Sequence, residues 1–428
     1  MIKTISPGQR TGEVNIPSSK SVVHRLLICA ALGKNPVCIF YSGLSKDIQA
    51  TASCLSSLGA EIQTGDREIY ISPVVGKQPS SEEILLPAGE SGSTLRFLLP
   101  VVGSLGLKVK FQMEGRLSER PLAPFDRVLT EHGMTIRREG KYLFAEGQLQ
   151  SGVFELPGNI SSQFFSGLLF ALPLLSADSR IISRGMPESG SYIGLTEEAL
   201  RISRIRFERK AHNDGIAWEI EGNQYPQLPH SLSAEGDWSN AAFFLSAGAL
   251  SEHGITVHGL NPKSGQGDLA ILELLREFGA DVRITGTNVT VRRGLLRPLN
   301  IEADAIPDLV PVISVLCCAA EGESRISSAA RLRLKESDRL STTTALICNL
   351  GGQAEETKDG IVIYGTGSLT GGNTDSFNDH RLAMSAATAA SFCSGPVNVA
   401  GAECVEKSYP AFWQDYEGLQ TESDGRER

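Results

Sequence analysis

Three things are scarce in this chain of 428 residues. Its eight cysteines contain no Cys-x-x-Cys pair and show no regular framework, which argues against zinc sites and a disulfide scaffold. Cys29, Cys317, Cys318 and Cys348 fall inside apolar runs and are expected to be buried thiols. Long apolar runs are missing too: stretches such as Phe164–Leu175 are too short to span a bilayer. Positive charge is not in excess. A net charge of −9 excludes a broadly basic nucleic-acid surface but not a basic pocket. The start, Met1-Ile2-Lys3-Thr4-Ile5, lacks the profile of a signal or transit peptide. These absences point to a cytoplasmic protein with no membrane or nucleic-acid partner. Phosphate-loop and dinucleotide fingerprints are also lacking, so no nucleotide cofactor is expected.

What is present is repetition. About every 70 residues a polar turn opens into an apolar stretch of helix length. The openings are Ser18-Ser19-Lys20-Ser21-Val22-Val23-His24-Arg25, Glu90-Ser91-Gly92-Ser93-Thr94-Leu95-Arg96, Asn159-Ile160-Ser161-Ser162-Gln163, Gly236-Asp237-Trp238-Ser239-Asn240, Pro307-Asp308-Leu309-Val310 and Asn378-Asp379-His380-Arg381. Runs such as Leu26–Leu32, Phe97–Leu107 and Leu309–Ala320 follow them. A second repeat runs in phase. Gly59-Ala60, Gly133-Met134, Gly279-Ala280 and Gly351-Gly352 each close an amphipathic segment and precede a hairpin pattern. A weaker copy at Ile202–Glu221 turns at Asn213-Asp214-Gly215 and lacks the glycine start. One unit therefore reads as strand, apolar helix, strand, amphipathic helix and strand pair. Six units of an α/β protein suggest two groups of three. The crossover falls in the least periodic stretch, Gln224–Ser233, and Thr421–Arg428 reads as a disordered tail.

Helix N-termini favour anions, and these openings concentrate Lys, Arg, Asp, Ser and Gln. Each residue also has an ordinary explanation. Asp308 reads as an N-cap. Ser161 and Ser162 either cap or offer hydroxyls to a phosphate. Gly92 is either a turn glycine or a point of close backbone approach. The cluster Arg331-Leu332-Arg333-Leu334-Lys335-Glu336-Ser337-Asp338-Arg339 reads as a solvated helix start, capped by Ser337 or another polar residue. In the alternative it is a functional face shared by Lys335 and Arg339, four residues apart. His380 reads as a capping or hydrogen-bonded residue. Arg381, at a positive helix end, costs stability unless an anion offsets it. Arg120, held off helix by Pro121, and Lys407, before Tyr409–Tyr416, each read as an anion ligand or a surface charge.

Taken in order, Lys20-Ser21-Val22-Val23-His24-Arg25, Gly92-Ser93-Thr94-Leu95-Arg96, Arg120-Pro121, Ser161-Ser162-Gln163, Pro307-Asp308, Lys335-Glu336-Ser337-Asp338-Arg339 and Asp379-His380-Arg381 resemble the motifs of the 5-enolpyruvylshikimate-3-phosphate (EPSP) synthase family, from about residue 3 to 417. That resemblance implies an inside-out α/β barrel fold of enolpyruvyl-transferase type. It has two similar domains, each of three βαβαββ repeats, closing like jaws on the substrates. One domain would comprise residues 1–18 and 232–428, the other 19–231, with the active site in the cleft between them. It also implies transfer of the enolpyruvyl group of phosphoenolpyruvate to the 5-hydroxyl of shikimate 3-phosphate, by addition and elimination, in the route to aromatic amino acids. No metal or other cofactor is implied, a monomer is, and the family is the target of the herbicide glyphosate.

By the same resemblance Lys20, Asp308 and Glu336 are catalytic. Lys20, Ser21, Arg25, Ser161, Ser162, Gln163, Ser189, Tyr192, Asp308 and Lys335 hold shikimate 3-phosphate. Lys20, Gly92, Arg120, Gln163, Arg339, His380, Arg381 and Lys407 hold phosphoenolpyruvate. Three places depart from the family pattern: Glu90 and Arg331 stand where Asn is usual, and Ser189-Gly190-Ser191-Tyr192 replaces Ser-Lys-Pro-Tyr. A carboxylate at Glu90 would repel an anion unless it turns away or pairs with a cation. The alternatives are the sister enzyme acting on UDP-N-acetylglucosamine and a non-catalytic six-repeat scaffold such as a DNA clamp. The first usually carries Cys or Asp in the loop before its Arg-Pro, and Gly115-Arg116-Leu117-Ser118-Glu119 has neither. The second wants a basic inner surface that the −9 charge disfavours.

Overall fold

A computed structural model describes residues 1–74 and 82–421. The chain divides into two compact units, Lys20–Ala234 and Met1–Ser19 with Glu235–Arg428. Strands β1 (Ile2–Ile5) and β2 (Arg10–Asn15) come first. The first unit then runs α1 (Lys20–Ala31), β3 (Val37–Phe40), α2 (Lys46–Ser57), β4 (Glu61–Thr64) and β5 (Glu68–Ser72). It continues with β6 (Ile84–Gly89), α3 (Gly92–Ser104), β7 (Val109–Met113), α4 (Phe125–Glu131), β8 (Thr135–Glu139) and β9 (Tyr142–Glu146). Its last repeat is β10 (Val153–Pro157), α5 (Ser162–Ala171), β11 (Ser179–Arg184), α6 (Gly190–Ile202), β12 (Phe207–His212) and β13 (Gly215–Ile220), followed by β14 (Ser231–Ser233).

The other unit repeats the plan with α7 (Trp238–Gly248), β15 (Ile255–His258), α8 (Ile271–Phe278), β16 (Asp281–Thr285) and β17 (Asn288–Arg292). Next come β18 (Asn300–Glu302), α9 (Val310–Cys317), β19 (Gly322–Ser327), α10 (Arg339–Asn349), β20 (Gln353–Glu356) and β21 (Ile361–Gly365). The chain ends with β22 (Gly372–Asp375), α11 (His380–Ala390), β23 (Val397–Ala400), α12 (Phe412–Gly418) and β24 (Gln420–Thr421). All six apolar runs are helices, and all five hairpin patterns are hairpins.

Five sheets share one order: leading strand, parallel second strand, then the antiparallel hairpin, as in β6-β7-β9-β8 and β10-β11-β13-β12. Two leading strands are exchanged along the chain. β2 leads into α1 but pairs in parallel with β15, while β14 leads into α7 but pairs in parallel with β3. Each unit thus borrows its first strand from the stretch that enters the other. The sixth sheet lacks a local hairpin, and β1 fills that place by pairing antiparallel to β23. Thr421, expected to begin a tail, pairs with Arg10 in β24 because the strand edge of β2 is open there. The rest of that expected tail lies outside the described residues.

Local chemistry explains the repeat. The opening helices begin at caps: the side chains of Ser91, Ser161, Asp237 and Asp379 accept from the amides of Thr94, Gln163, Asn240 and Arg381. The amphipathic helices end where Gly59, Gly133, Gly279 and Gly351 take positive φ and the next amide returns to a helix carbonyl, as Ala280 N does to Leu275 O at 2.9 Å. A Cβ on Gly279 would sit 1.9 Å from the Leu295 carbonyl oxygen. The weak copy makes the same return bond, Ile205 N to Leu200 O, with Arg204 at φ 58° in the glycine position. An L-residue is tolerated there, which is why the glycine signal was missing.

Each unit buries its own core. In one, Leu27, Phe97, Leu99 and Phe165 are fully buried; in the other, Phe244, Val312, Leu316 and Ala386 are. Burial of each Leu, Phe or Val among them is worth about 1.5–3 kcal/mol. The apolar runs are buried on all sides, so their polar ends are the positions left for chemistry. Cys29, Cys317 and Cys318 are buried as expected, and desolvation pushes the Cys29 and Cys317 thiols up to about 12. Cys348 is exposed instead, because it lies on the polar face of the amphipathic α10.

Candidate active site

In the unit Lys20–Ala234 the helix openings are joined mainly by neutral groups. Lys20 is the first residue of α1, and its Nζ lies 2.9 Å from Asp47 Oδ2. Asp47 is the second residue of α2, whose cap is Ser45. Four residues along from Lys20, the His24 ring bonds Thr51 Oγ1 (2.6 Å), which bonds Thr94 Oγ1 (2.7 Å), which donates to Ser91 Oγ (2.8 Å). His24 is fully buried, and desolvation lowers it to about 3, so its ring is neutral. Arg25 sends Nε to Thr196 Oγ1, one terminal nitrogen to the Ser21 carbonyl and the other to the Tyr192 carbonyl, at 2.6–2.8 Å. Thr196 in turn donates to Ser166 of α5 (2.7 Å).

Gly92 is the first residue of α3 rather than a turn glycine. A Cβ there would come 2.7 Å from an Arg120 terminal nitrogen and 3.3 Å from one of Arg96. The missing side chain is therefore the space into which two guanidinium groups fit. Gln163 links two openings: its Oε1 accepts from Arg96 (2.6 Å) and its Nε2 donates to Ser93 Oγ (2.9 Å). Ser161 caps α5, and Ser162 is that helix's first residue. Ser189 precedes α6 in the left-handed region, φ 51°, without a side-chain cap bond, and its carbonyl accepts from Tyr192 N. Glu90 turns toward the loop 115–118: a Cβ on Gly115 would lie 2.6 Å from its carboxyl oxygen.

The other unit gathers charge. Arg339, 1% exposed, is the hub. It holds Asp308 Oδ1 at 2.7 Å, Asp379 Oδ2 at 2.7 Å and Glu336 Oε2 at 2.9 Å. Arg381 pairs with Asp308 Oδ2 at 3.0 Å and donates to the Asp308 carbonyl at 3.3 Å. Lys335 Nζ stands 3.8 Å from Asp308 Oδ1. Burial favours protonation of Asp308, but Arg381, Lys335 and Arg339 outweigh it and hold the carboxyl well below the usual carboxylate range. Desolvation lowers Lys335 to about 8, against the attraction of Asp308. His380 is buried as the first residue of α11, and Lys407 is buried at the end of the turn Ala402–Lys407. Among the described residues no group of three or more His, Cys, Asp and Glu side chains is arranged to hold a metal ion.

Several expectations are corrected. Asp308 is not a helix cap. The cap position of α9 is Leu309, without a side-chain bond, because the Asp308 carboxylate is drawn to Arg339 and Arg381. Lys335 and Arg339 do not share a helix face. The segment Ala330–Leu334 is a 3-10 turn, Lys335 is extended, and α10 begins at Arg339. Asp338 caps that helix, while Ser337 bonds Asp379 Oδ2 at 3.1 Å. Both cations reach Asp308 all the same, through a bend instead of a helical repeat. Arg331 donates to the Asp304 carbonyl. Sequence reasoning gave no role to Asp47 or Asp379. Asp47 is 27 residues from Lys20, and nothing in its own segment marks the pairing. Asp379 could have been found as the carboxylate required beside any buried arginine at that opening.

Solved enolpyruvyl transferases share this fold. The chain superposes on NikO of Streptomyces tendae with a TM-score of 0.79, 16% identity, and 98% and 97% of the two chains covered. It superposes on the EPSP synthase of Acinetobacter baumannii with a TM-score of 0.77, 24% identity, and 99% and 100% covered. The chain thus has the fold of these enolpyruvyl transferases. Residues 5–416 match the profile of the EPSP synthase (3-phosphoshikimate 1-carboxyvinyltransferase) family, and the chain belongs to that family. It is 40% identical over 427 residues to the 3-phosphoshikimate 1-carboxyvinyltransferase of Clostridium kluyveri, covering 98% of each. It is also 40% identical over 420 residues to that of Clostridium acetobutylicum, covering 97% of this chain and 96% of the relative.

Proposed function

We propose that the chain transfers the enolpyruvyl group of phosphoenolpyruvate to the 5-hydroxyl of shikimate 3-phosphate and releases phosphate. The observation that carries this reading is Asp308: a carboxylate kept ionised by three cations at a helix opening, with Glu336 on the same arginine. Asp308 accepts the proton of the attacking hydroxyl as oxygen bonds to C2 of phosphoenolpyruvate. Glu336 delivers a proton to the methylene carbon, giving a tetrahedral adduct that still bears phosphate. Glu336 then takes a proton back from the methyl carbon as phosphate leaves with the proton that Asp308 had accepted, which restores the vinyl ether and returns both carboxyl groups to their starting states. Lys20, oriented by Asp47, assists proton transfer and touches both substrates.

Shikimate 3-phosphate is assigned to Lys20, Ser21, Arg25, Ser161, Ser162, Gln163, Ser189, Tyr192, Asp308 and Lys335. The hydroxyls of Ser161 and Ser162 suit phosphate at the positive end of α5. Arg25 acts by fixing Ser21 and Tyr192 through their carbonyls. Phosphoenolpyruvate is assigned to Lys20, Gly92, Arg120, Gln163, Arg339, His380, Arg381 and Lys407. Arginine forks match its carboxylate and phosphate. Nothing in the mechanism uses a metal. Among the described residues no helix is long and apolar enough to cross a membrane. A monomer working in the cytoplasm is the corresponding cellular reading.

The test is phosphate release from phosphoenolpyruvate with shikimate 3-phosphate or UDP-N-acetylglucosamine as acceptor. Release with the first alone is expected. Release with the second alone, or with neither from folded protein, overturns the assignment.

A further inference from the structure

Asp268 lies in the turn Gly267–Ala270 and is 2% exposed. One carboxyl oxygen, Oδ2, accepts from Ser239 Oγ, on the second residue of α7. The other, Oδ1, is buried without a hydrogen-bond partner among the described residues. An ionised carboxylate with an orphaned buried oxygen is costly, whereas a protonated one is much less so. The charged groups facing it come from three helix openings. Asp308 before α9 and Asp237 capping α7 are negative, and Arg381 on α11 is positive. Burial, then repulsion from Asp308, raises Asp268 to about 7, against the pull of Arg381 and Ser239. Asp308 sits among three cations and is shifted the opposite way. Carboxyls whose surroundings push them apart in this manner mark a division of acid–base roles.

We infer that Asp268 is a positioning residue: while it carries a proton it leaves Arg381 to an incoming anion, and when ionised it competes for Arg381. The inference rests on the assignment of Arg381 to phosphoenolpyruvate. It concerns binding, not chemistry, so it predicts a split between KM and kcat. Below pH 7 Asp268 is neutral and does not compete with the ligand for Arg381. Above pH 7 a further negative charge stands beside it, and the KM for phosphoenolpyruvate rises.

The experiment measures KM and kcat from pH 6 to 8.5 at saturating shikimate 3-phosphate, for the wild type and Asp268→Asn. Phosphoenolpyruvate titrates identically in both assays, so any difference belongs to the protein. The expected wild-type KM rises about three- to tenfold over this range while kcat changes less than twofold, and Asp268→Asn keeps a low, flat KM. An equal rise in both proteins, or none in the wild type, overturns the inference. Ser239→Ala removes the donor that stabilises the ionised carboxylate and should move the rise to higher pH. It serves if Asp268→Asn does not fold. Infrared difference spectra supply a second readout. A protonated-carboxyl band should be present at pH 6, lost by pH 8.5 and absent from Asp268→Asn; an ionised Asp268 at pH 6 overturns the inference. If the wild type shows no turnover, the functional reading fails by itself. Calorimetric binding of phosphoenolpyruvate over the same pH range then replaces KM, and no binding, or equal pH dependence in both proteins, overturns the inference.

Discussion

The unit Lys20–Ala234 ties its helix openings together mainly through uncharged partners, the Lys20–Asp47 pair apart. His24, Thr51, Thr94 and Ser91 make one chain across α1, α2 and α3; Arg96, Gln163 and Ser93 join α3 to α5; Thr196 and Ser166 join α6 to α5. The other unit ties the same kind of openings with ions, around Arg339, Asp308, Asp379, Glu336 and Arg381. One backbone plan therefore supports two strategies for aiming polar groups. A neutral hydrogen bond contributes about 0.5–1.5 kcal/mol, so a neutral lattice weakens gradually when one member is lost. A buried ion cluster stabilises less than its contacts suggest, yet losing one ion leaves others uncompensated. The ionic side also carries charges ready for proton transfer, which the neutral side mostly lacks.

The sharpest test of that division is kinetic. Asp308→Asn and Glu336→Gln should lower kcat by about 10²–10⁴ while substrate KM values move only a few-fold, because each removes a proton carrier. Gln163→Leu, on the neutral side, should mainly raise the KM for phosphoenolpyruvate. Steady-state phosphate release checks all three. If Asp308→Asn raises KM as much as it lowers kcat, Asp308 belongs with the ligands and the division dissolves.

Stability gives the next contrast. Arg339→Met removes the guanidinium that three carboxylates share and should cost about 3–5 kcal/mol. Gln163→Leu breaks two hydrogen bonds and leaves the buried Arg96 one partner short, for about 1–3 kcal/mol. Denaturant unfolding of the two variants decides it. Comparable losses would mean that the ion cluster is better compensated than its contacts indicate.

A smaller effect is expected at Gly92. The Cβ of Gly92→Ala would press on Arg120, a flexible side-chain end, so Arg120 should shift with little loss of stability. The expected result is a roughly tenfold rise in KM for phosphoenolpyruvate with a nearly unchanged melting temperature, since a displaced charged contact is worth about 1–2 kcal/mol. An unchanged KM would remove Arg120 from the pocket.

The repeat was legible because its signals are local. Caps, glycine stops and alternating hairpins lie within a few residues of one another, and all six opening helices fall where apolar runs follow polar turns. The site was legible only as a set of openings. Asp308 looks like a cap until Arg339, 31 residues on, and Arg381, 73 residues on, claim its carboxylate. Lys335 and Arg339 look helical by spacing until the 3-10 turn before α10 is seen. Asp47 and Asp268 carry no local mark at all, since their surroundings come from other helices. Sequence spacing reports neighbours along an element, whereas these carboxylates are defined by neighbours across elements.

The smallest effect sets the two units against each other through pH. His24 is neutral when folded because burial lowers it from 6.5 to about 3. Its contribution is full above pH 6.5 and is lost as pH falls toward 3, by up to about 1.4 kcal/mol per pH unit. Asp268 is raised from 3.8 to about 7, so its contribution is full below pH 3.8 and is lost as pH rises toward 7, with a slope of similar size and opposite sign. Asp415, raised by burial, adds in the same sense as Asp268. Between pH 4 and 6.5 the two slopes should nearly cancel if the chain unfolds in one step. His24→Gln should then leave a protein whose stability increases toward acid, and Asp268→Asn one whose stability decreases toward acid. Urea unfolding at pH 4.5 and 6.5 reads both. The same pH slope in all three proteins would show that neither buried group keeps its shifted proton affinity. Two separate transitions moving in opposite directions with pH would show that each unit carries its own titrating core.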